Sequence, residues 1–378
     1  MAGYDAIVIG LGGIGSATAY HLARRGARVL GLEQFGIAHD QGASHGHTRV
    51  IRQAYAEGPE YVPLLFRAYE LWHALEREAQ TTLLTKTGAL HIGTADSPAV
   101  AGAALSARTY DIRHHLLTAE EIRKRYPVLR PPADHVGLLE YEAGFLVPEQ
   151  CVATHIELAR RHGAELHTEE VVLSWHATPG RVSVRTSRGG YEARALVFTA
   201  GPWTGQVLRD LGLPLEVTRA ILYWFQPKGR LEEFTRLPIY LWEDHGIYSY
   251  GFPYLEGQGL KCGFHHSFNE VTTPQTIRRQ VGDDEKTRIR DHMTKLMPDA
   301  LGQLLAAATC LYTNTPDFHF IIDRHPAHEH VVLACGFSGH GFKFCSVFGE
   351  VLADLALNGQ TQHPVGLFAL RRFESAVP

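Results

Sequence analysis

The sequence predicts an α/β protein in which a Rossmann-like domain is interleaved with a second, α+β domain built on a mixed sheet. Three observations support this prediction. A glycine-rich turn joins a strand pattern to a helix pattern near the N-terminus, and a buried strand pattern ending in small residues returns near residue 193. Two long segments elsewhere are rich in alternating aromatic and apolar residues, which is typical of strands in a separate sheet.

The first 33 residues have the order strand, tight turn, helix, strand. Residues 6–9 are apolar, residues 16–25 have the apolar spacing of a helix, and Gly26 ends that helix. Residues 27–32 form a second apolar run. This order predicts a βαβ unit.

The turn of this unit has the spacing G-x-G-x-x-G at Gly10, Gly12 and Gly15, and Glu33 follows 18 residues after the last glycine. Such glycines let the backbone approach a pyrophosphate, the helix N-terminus offers unpaired N–H groups, and the acid accepts hydrogen bonds from ribose hydroxyls. A turn that only packs a helix on a sheet is the alternative, but it leaves Glu33 unexplained. The pattern therefore predicts a dinucleotide site.

The first domain returns late in the chain. Residues 193–203 have the pattern of a short buried strand that ends in small residues, as expected where another strand passes close to the same nucleotide. Alternating segments such as residues 247–253 indicate the sheet of the second domain. We therefore assign residues 1–82, 147–217 and 316–378 to the nucleotide-binding domain, and residues 83–146 and 218–315 to a substrate domain.

Composition limits the classes of partner. The 378 residues are 45% hydrophobic and 20% charged, with a formal net charge of -4, which is typical of a globular protein large enough for two domains. Charges are spread along the chain, so neither nucleic acid nor a membrane surface is an expected partner. No apolar run has the length of a membrane helix and no charged leader precedes the first strand. We expect a soluble, cytoplasmic protein that binds small molecules.

The five cysteines lie far apart, without a C-x-x-C pair: Cys151, Cys262, Cys310, Cys335 and Cys345. An odd number in this arrangement is a poor disulfide framework and a poor zinc site, which favours a reducing compartment. The adjacent His265 and His266 have no further ligand at metal-binding spacing, and the chain holds 23 histidines in all. No metal is therefore expected.

Beyond the glycine fingerprint, further segments follow in a specific order. They are the loop of residues 42–52, Tyr250-Gly-Phe-Pro, Gly259-Leu-Lys, Cys310-Leu-Tyr-Thr and residues 336–343. In this order they resemble the family of monomeric sarcosine oxidase and N-methyltryptophan oxidase, within the amine-oxidising flavoproteins related to D-amino acid oxidase. The resemblance covers nearly the whole chain, and it implies that the nucleotide of the first domain is FAD.

The resemblance also implies a covalent flavin. In the family, the cofactor is held by a thioether from the cysteine that matches Cys310. Cysteine suits this link because a thiolate is a strong nucleophile toward an electrophilic ring methyl, and nearby cations favour the thiolate. The other four cysteines are interpreted as small buried hydrophobes.

Other matching residues are expected to surround the flavin. By resemblance, His45, Thr48 and Arg49 line the cofactor, and Arg49 keeps positive charge near the ring. Gly339 and Gly341 are expected at the cofactor as well. His47 departs from the family pattern, which has Asp at this position, and this departure puts the local charge in doubt.

Lys261 matches a lysine that acts in the reaction of reduced flavin with oxygen. That reaction passes through an anionic oxygen species, which a fixed ammonium near the ring stabilises. Without the resemblance, a lysine between Leu260 and Cys262 in a strand is typical of an edge or surface position. The resemblance implies instead a catalytic role for Lys261.

The remaining matches concern the substrate. Arg52 and Lys343 match residues that hold the substrate carboxylate, for which a planar fork and a compact ammonium are both suitable donors. Tyr250 and His265 match residues that border the substrate amine. Only the neutral amine is easily oxidised, and surrounding cations disfavour the ammonium form.

These residues predict a flavin-dependent oxidase of a small secondary amino acid, with oxygen as the acceptor and hydrogen peroxide as a product. The preferred substrate is sarcosine, converted to glycine and formaldehyde. Alternatives with the same chemistry are N-methyltryptophan, another N-methyl amino acid, or a cyclic amine such as proline or pipecolate. A nicotinamide dehydrogenase and a catalytically silent flavin-binding subunit are further alternatives. Nothing in the sequence requires an oligomer, so a monomer is expected.

Overall fold

The computed structural model of the chain describes residues 3–376. Within them, the α-helices are α1 (Gly13–Arg24), α2 (Val62–Ala79), α3 (Pro98–Thr109), α4 (Ala119–Arg125), α5 (Pro148–Arg161), α6 (Thr204–Val207), α7 (Leu231–Thr235), α8 (Asp283–Leu296) and α9 (Cys345–Asn358).

The strands of the same residues form three sheets. In chain order they are β1 (Tyr4–Ile9), β2 (Val29–Leu32), β3 (Arg49–Ile51), β4 (Leu84–Lys86), β5 (Ala89–Gly93), β6 (His114–Thr118), β7 (Val136–Glu140), β8 (Gly144–Leu146), β9 (Glu165–His167), β10 (Val172–Thr178), β11 (Arg181–Thr186), β12 (Gly190–Phe198), β13 (Glu216–Phe225), β14 (Ile239–Asp244), β15 (Ile247–Leu255), β16 (Gly259–Phe264), β17 (Glu270–Val271), β18 (Leu304–Asn314), β19 (Ile321–His325) and β20 (His328–Cys335).

The first sheet has a parallel centre in the order β9-β2-β1-β12-β20, with β10, β11 and β19 antiparallel at its margins. Strand β1 is buried on both faces, which explains its unbroken apolar run. Ala6 and Val8 pack into the core that contains α1, α5 and α9, whereas Ile7 and Ile9 pack into the core on the opposite face. The predicted Rossmann-like unit is therefore present.

The observed βαβ unit differs from the prediction at its boundaries. Helix α1 begins at Gly13, three residues before the predicted start, because Gly12 adopts the extended conformation of an N-cap residue and the helix follows directly. Gly26 adopts a positive φ of 82° after the helix, as expected for the glycine that ends it. Strand β2 begins at Val29 rather than at residue 27.

The second sheet is mixed, in the order β17-β13-β16-β15-β14-β5-β7-β6, with β18 also paired to β13. Only the β14–β5 pair is parallel among its pairings within residues 3–376. Strand β13 pairs with both β16 and β18. Its Trp224 is the partner of Lys261 on β16, and its Ala220 is the partner of Cys310 on β18. The sheet thus confirms the predicted α+β character of the second part of the fold.

A small sheet in the order β3-β8-β4 lies outside these two. It holds Arg49 at the start of β3, opposite Leu146. The strands of the first sheet come from residues 4–32, 165–198 and 321–335, and those of the second from residues 89–140 and 216–314. The domain boundaries given above remain our proposal.

Candidate functional site

A cavity of about 610 Å³ is lined by loops and strands of both large sheets. Many of the residues singled out from the sequence line it: Gly10, Gly12, Glu33, Thr48, Arg49, Arg52, Tyr250, Lys261, His265, Cys310, Gly339, Gly341 and Lys343. Gly15 and His45 are not among its lining residues. The fold therefore brings together residues that are up to 333 positions apart, from Gly10 to Lys343.

One end of the cavity is formed by the backbone of the βαβ turn. Gly10 has a φ of 88°, and a Cβ atom there would lie 2.6 Å from the Thr199 carbonyl oxygen. At Gly12, a Cβ would meet only Ser44 Oγ, at 3.5 Å. Because Gly12 lines the cavity, the absence of a side chain there leaves open space in the cavity. This end therefore combines a helix N-terminus with an open approach to it, an arrangement that suits a phosphate group.

Gly15 lies where α1 packs closely against the end of β1. A Cβ at Gly15 would lie 1.8 Å from the Gly10 carbonyl oxygen and 2.5 Å from Thr199 Oγ1. The residue therefore permits close contact between α1 and the end of β1, and it does not face the cavity. This is the helix-packing role that the third glycine of such a fingerprint takes.

Glu33 is buried at the end of β2. Its carboxylate accepts hydrogen bonds from the N–H of Leu11, at 2.8 Å, and from the N–H of Phe35, at 3.0 Å. Each carboxylate oxygen can accept a further bond. Glu33 is thus held rigidly, with accepting capacity left on the cavity side.

Cys310 is buried on β18 beside two basic side chains. Arg49 Nη2 lies 3.5 Å from the Cys310 sulfur. Burial alone would raise the pKa of the thiol, but the neighbouring His45 imidazole and the charge of Arg49 outweigh it and lower the pKa to about 7. His45 acts on the thiol although it does not line the cavity. The environment favours the thiolate, the reactive form of cysteine.

Lys261 is buried on β16, in contrast to the edge or surface position that is typical of such a lysine. Its ammonium donates to the carbonyl oxygens of Gly46, at 2.6 Å, and Thr48, at 2.8 Å, and to Thr48 Oγ1, at 3.1 Å. These three bonds use all three donors of the ammonium. Burial, and then the charge of Arg49, lower the pKa of Lys261. The three acceptors match the three N–H groups of an ammonium and so favour the charged form against this lowering, and they fix the lysine at the wall of the cavity.

Arg52 follows β3 and is buried, with 2% of its surface exposed. Its Nη2 donates to both carboxylate oxygens of Glu57, at 2.7 and 2.6 Å, and its Nη1 donates to the Ala54 carbonyl, at 3.2 Å. Burial would raise the pKa of Glu57, but the charge of Arg52 outweighs it and holds that pKa well below its usual range. The pair is therefore ionised at neutral pH.

Lys343 is buried near Arg52. Its ammonium donates to the His340 carbonyl, at 2.6 Å, and lies 3.5 Å from the Tyr55 hydroxyl. Burial, followed by the charge of Arg52, lowers the pKa of Lys343 to about 7. An anion that binds between these two cations would relieve their repulsion.

His265 and Tyr250 border the same part of the cavity. The His265 Nδ1 lies 3.4 Å from the Tyr312 hydroxyl, and its backbone N–H donates to the Tyr248 carbonyl, at 2.7 Å. Burial and the neighbouring His266 lower the pKa of His265, so its ring is neutral at pH 7. A neutral imidazole beside buried cations is a polar group that adds no further charge.

Comparisons with known proteins identify the family. The model of the DAO family, described as FAD dependent oxidoreductase, matches residues 5–355. The chain is 50% identical to monomeric sarcosine oxidase of Streptomyces avermitilis, over 99% of this chain and 98% of that protein. It is 36% identical to N-methyl-L-tryptophan oxidase of Salmonella enteritidis, over 98% of this chain and 99% of the relative.

The chain belongs to the DAO family of FAD dependent oxidoreductases. A solved structure of NikD, an amino acid oxidase essential for nikkomycin biosynthesis, shares the fold, with a TM-score of 0.84 and 26% identity over 98% of both chains. The predicted family, the fold class and an FAD-dependent amine oxidase are confirmed. A nicotinamide dehydrogenase is excluded, because the matched family uses FAD.

The cavity of this DAO family member fits FAD on its own residues. The turn leaves space at Gly12, Glu33 retains accepting capacity, and the acidified thiol of Cys310 lies on the wall at the second sheet. Within residues 3–376, no group of three or more His, Cys, Asp or Glu side chains has the geometry to hold a metal ion. In the same residues, no helix is both long and apolar enough to cross a bilayer.

The structure adds residues that the sequence did not indicate. Glu149 accepts from the N–H groups of Gly46, at 2.6 Å, and His47, at 3.1 Å, and so supports the loop whose carbonyls hold Lys261. Its position next to Pro148, at the start of α5, is typical of an acid that only stabilises its own helix. Glu57, which pairs with Arg52, has no sequence signal beyond its proximity along the chain.

Proposed function

We propose that this protein oxidises the small secondary amino acid sarcosine to glycine, formaldehyde and hydrogen peroxide, as a cytoplasmic monomer. The observation that carries the proposal is a set of basic side chains that line one cavity, namely Arg52 with Lys343 and Arg49 with Lys261. Arg52, Lys343 and Lys261 are buried, and Arg49 is partly buried. The name of the relative that is 50% identical, monomeric sarcosine oxidase, supports the choice of substrate and oligomeric state. The lowered thiol pKa supports a thioether between Cys310 and the flavin.

Arg52 and Lys343 are assigned to the substrate carboxylate. Both side chains are buried, and Lys343 is only partly protonated near pH 7 when no anion is bound. A carboxylate between them favours the ammonium form of Lys343 and gains charge-assisted hydrogen bonds. These contacts orient the amino acid in the cavity.

His265 and Tyr250 are assigned to the substrate amine. A neutral amine keeps the lone pair that supports loss of hydride from the neighbouring carbon. The nearby cations disfavour the ammonium form, and His265 adds no charge because its pKa is lowered. FAD, when bound, would supply the acceptor for a hydride from the N-methyl carbon and would carry the two electrons to oxygen. Water then hydrolyses the imine to formaldehyde and glycine.

Lys261 is assigned to the reaction with oxygen. Its ammonium is held by Gly46 and Thr48 in a fixed position, so stabilising an anion there requires no rearrangement of the protein. Arg49 contributes a second positive charge next to Cys310. Gly10, Gly12, Glu33, Thr48, Gly339 and Gly341 are assigned to FAD.

Peroxide and formaldehyde production by the purified protein in air tests the proposal. Sarcosine, N-methyl-L-tryptophan, proline, pipecolate and D-alanine are supplied separately. We expect the highest kcat/KM with sarcosine, with formaldehyde and peroxide formed in equal amounts. If another of these amines has a higher kcat/KM, that amine is the preferred substrate and sarcosine is not. If none of them gives peroxide, the result favours a catalytically silent flavin-binding protein.

Acid precipitation tests the covalent link. The parent protein is expected to keep its yellow colour in the precipitate, and Cys310→Ala is expected to release it. Cys262→Ala is the matched control, because Cys262 is also buried in the second sheet but does not line the cavity. Release of colour from the parent would contradict the thioether.

A further inference from the structure

Two buried hydrogen-bond donors near the substrate end of the cavity lack a partner among the described residues. They are the Tyr248 hydroxyl and Arg52 Nε. Tyr248 and Arg52 both line the cavity. Since buried polar atoms are nearly always hydrogen-bonded in native proteins, two such atoms at one cavity indicate a ligand group.

The Tyr248 side chain is held in position from several sides. Its backbone N–H donates to Ser267 Oγ, at 3.0 Å, and its carbonyl accepts from the His265 N–H, at 2.7 Å. Its ring meets the His265 ring edge-on, with the ring centres 5.4 Å apart. Only the hydroxyl remains without a partner among the described residues. Burial raises the pKa of this phenol although the charge of Arg52 opposes the rise, so it is a proton donor at neutral pH.

Both terminal nitrogens of Arg52 already have partners. Its Nη1 bonds to Ala54 and its Nη2 bonds to Glu57. Arg52 Nε can only donate, so the group that satisfies it must be an acceptor. An anionic oxygen that accepts from both Nε and the Tyr248 hydroxyl would satisfy both donors and leave the Arg52–Glu57 pair intact.

We propose that the Tyr248 hydroxyl binds the substrate carboxylate together with Arg52 Nε. This inference rests on the proposed function for the identity of the substrate. It adds a neutral donor to the two cations of the carboxylate site. A neutral donor strengthens binding of the anion. Unlike a further cation, it does not lower the pKa of Lys343.

The experiment measures binding of two probes to the holoenzyme through the absorption spectrum of its flavin. Methoxyacetate carries a carboxylate and no amine, and methoxyacetamide is its neutral analogue. In Tyr248→Phe, we expect the Kd of methoxyacetate to rise about tenfold, as for loss of a hydrogen bond to a charged group. The Kd of methoxyacetamide is expected to change less than about threefold, because a neutral amide forms a weaker bond.

Tyr254→Phe is the matched control. Tyr254 lies on the same strand, its hydroxyl is 3.5 Å from Gln226 Oε1, and it does not line the cavity. Its substitution is expected to change neither Kd.

An unchanged Kd of methoxyacetate in Tyr248→Phe would overturn the inference, and so would an equal weakening of both probes. If Tyr248→Phe does not fold, as judged from thermal unfolding, Tyr248→Leu must lose the same preference for the carboxylate over the amide. Peroxide production by the parent separates this inference from the proposed function. A parent that binds methoxyacetate through Tyr248 but oxidises none of the amines refutes the function alone.

Discussion

The two ends of the cavity are built in different ways. The nucleotide end uses the backbone of one continuous segment, with Gly10, Gly12 and the start of α1, and a single acid, Glu33. The substrate end uses side chains from distant segments, among them Arg52 and Lys343. The nucleotide end therefore relies mainly on backbone geometry, whereas the chemistry at the other end depends on basic side chains and their partners.

Replacing Lys261 should give the largest effect on that chemistry. Lys261→Met is expected to slow the reaction of the reduced enzyme with oxygen by about 100-fold to 1000-fold, the range typical of losing one preorganised electrostatic contact to a developing anion. Anaerobic reduction by sarcosine is expected to change only a few-fold. Stopped-flow absorbance of the flavin measures both half-reactions. Equal losses in both would contradict a role specific to oxygen.

Replacing Lys343 should give the opposite pattern. Lys343→Met is expected to raise the Kd of sarcosine by about 30-fold or more, which corresponds to loss of about 2 kcal/mol from a buried ionic contact. The reaction of the reduced enzyme with oxygen is expected to keep its parent rate. The same stopped-flow measurements test this, with Lys261→Met as the reciprocal control. A slowed oxygen reaction in Lys343→Met would show that the two lysines do not act separately.

Two glycine substitutions sharpen the distinction within the nucleotide end. Gly15→Ala is expected to lower the free energy of unfolding by about 3 kcal/mol, because its Cβ would overlap the Gly10 carbonyl oxygen. Gly12→Ala is expected to keep the fold of the apoprotein and to reduce the amount of FAD bound, since its Cβ points into the cavity. Thermal unfolding and flavin content measure the two effects. A stable Gly15→Ala protein would contradict the packing role.

The pH dependence of carboxylate binding should give the smallest effect. Lys343 has a pKa of about 7 in the free protein, so it is charged below that pH and neutral above it. The affinity for methoxyacetate is therefore expected to fall as the pH rises through 7, by up to about tenfold for each further unit. Lys343→Met should have a flatter profile between pH 6 and pH 8. A parent profile that is flat over this range would exclude Lys343 as the titrating group.

The same contrast explains how far the sequence could predict the molecule. The βαβ unit was predictable because its strand, turn, helix and acid are contiguous. Gly15 could not be separated from Gly10 and Gly12 by spacing alone, since the difference lies in which atoms a Cβ would meet. The start of α1 was placed three residues late because two glycines open the helix.

At the substrate end, the resemblance to a family supplied residues that patterns alone do not indicate. Lys261 has the local sequence of an edge residue, and only the pairing of β16 with its neighbours on both sides reveals that it is buried. The partners Glu57 and Glu149 and the hydroxyl of Tyr248 were not predictable. Their roles depend on tertiary contacts, because an acid or a tyrosine at such positions has many ordinary uses.

The proposed function requires that an N-methyl amino acid, held by Arg52 and Lys343, reduces the flavin in this cavity. Anaerobic mixing of the parent protein with sarcosine is the decisive measurement, with flavin absorbance and formaldehyde followed together. We expect the yellow absorbance to bleach fully and one formaldehyde to form for each flavin reduced. An absorbance that stays unchanged with sarcosine, N-methyl-L-tryptophan, proline and pipecolate would refute the proposed function.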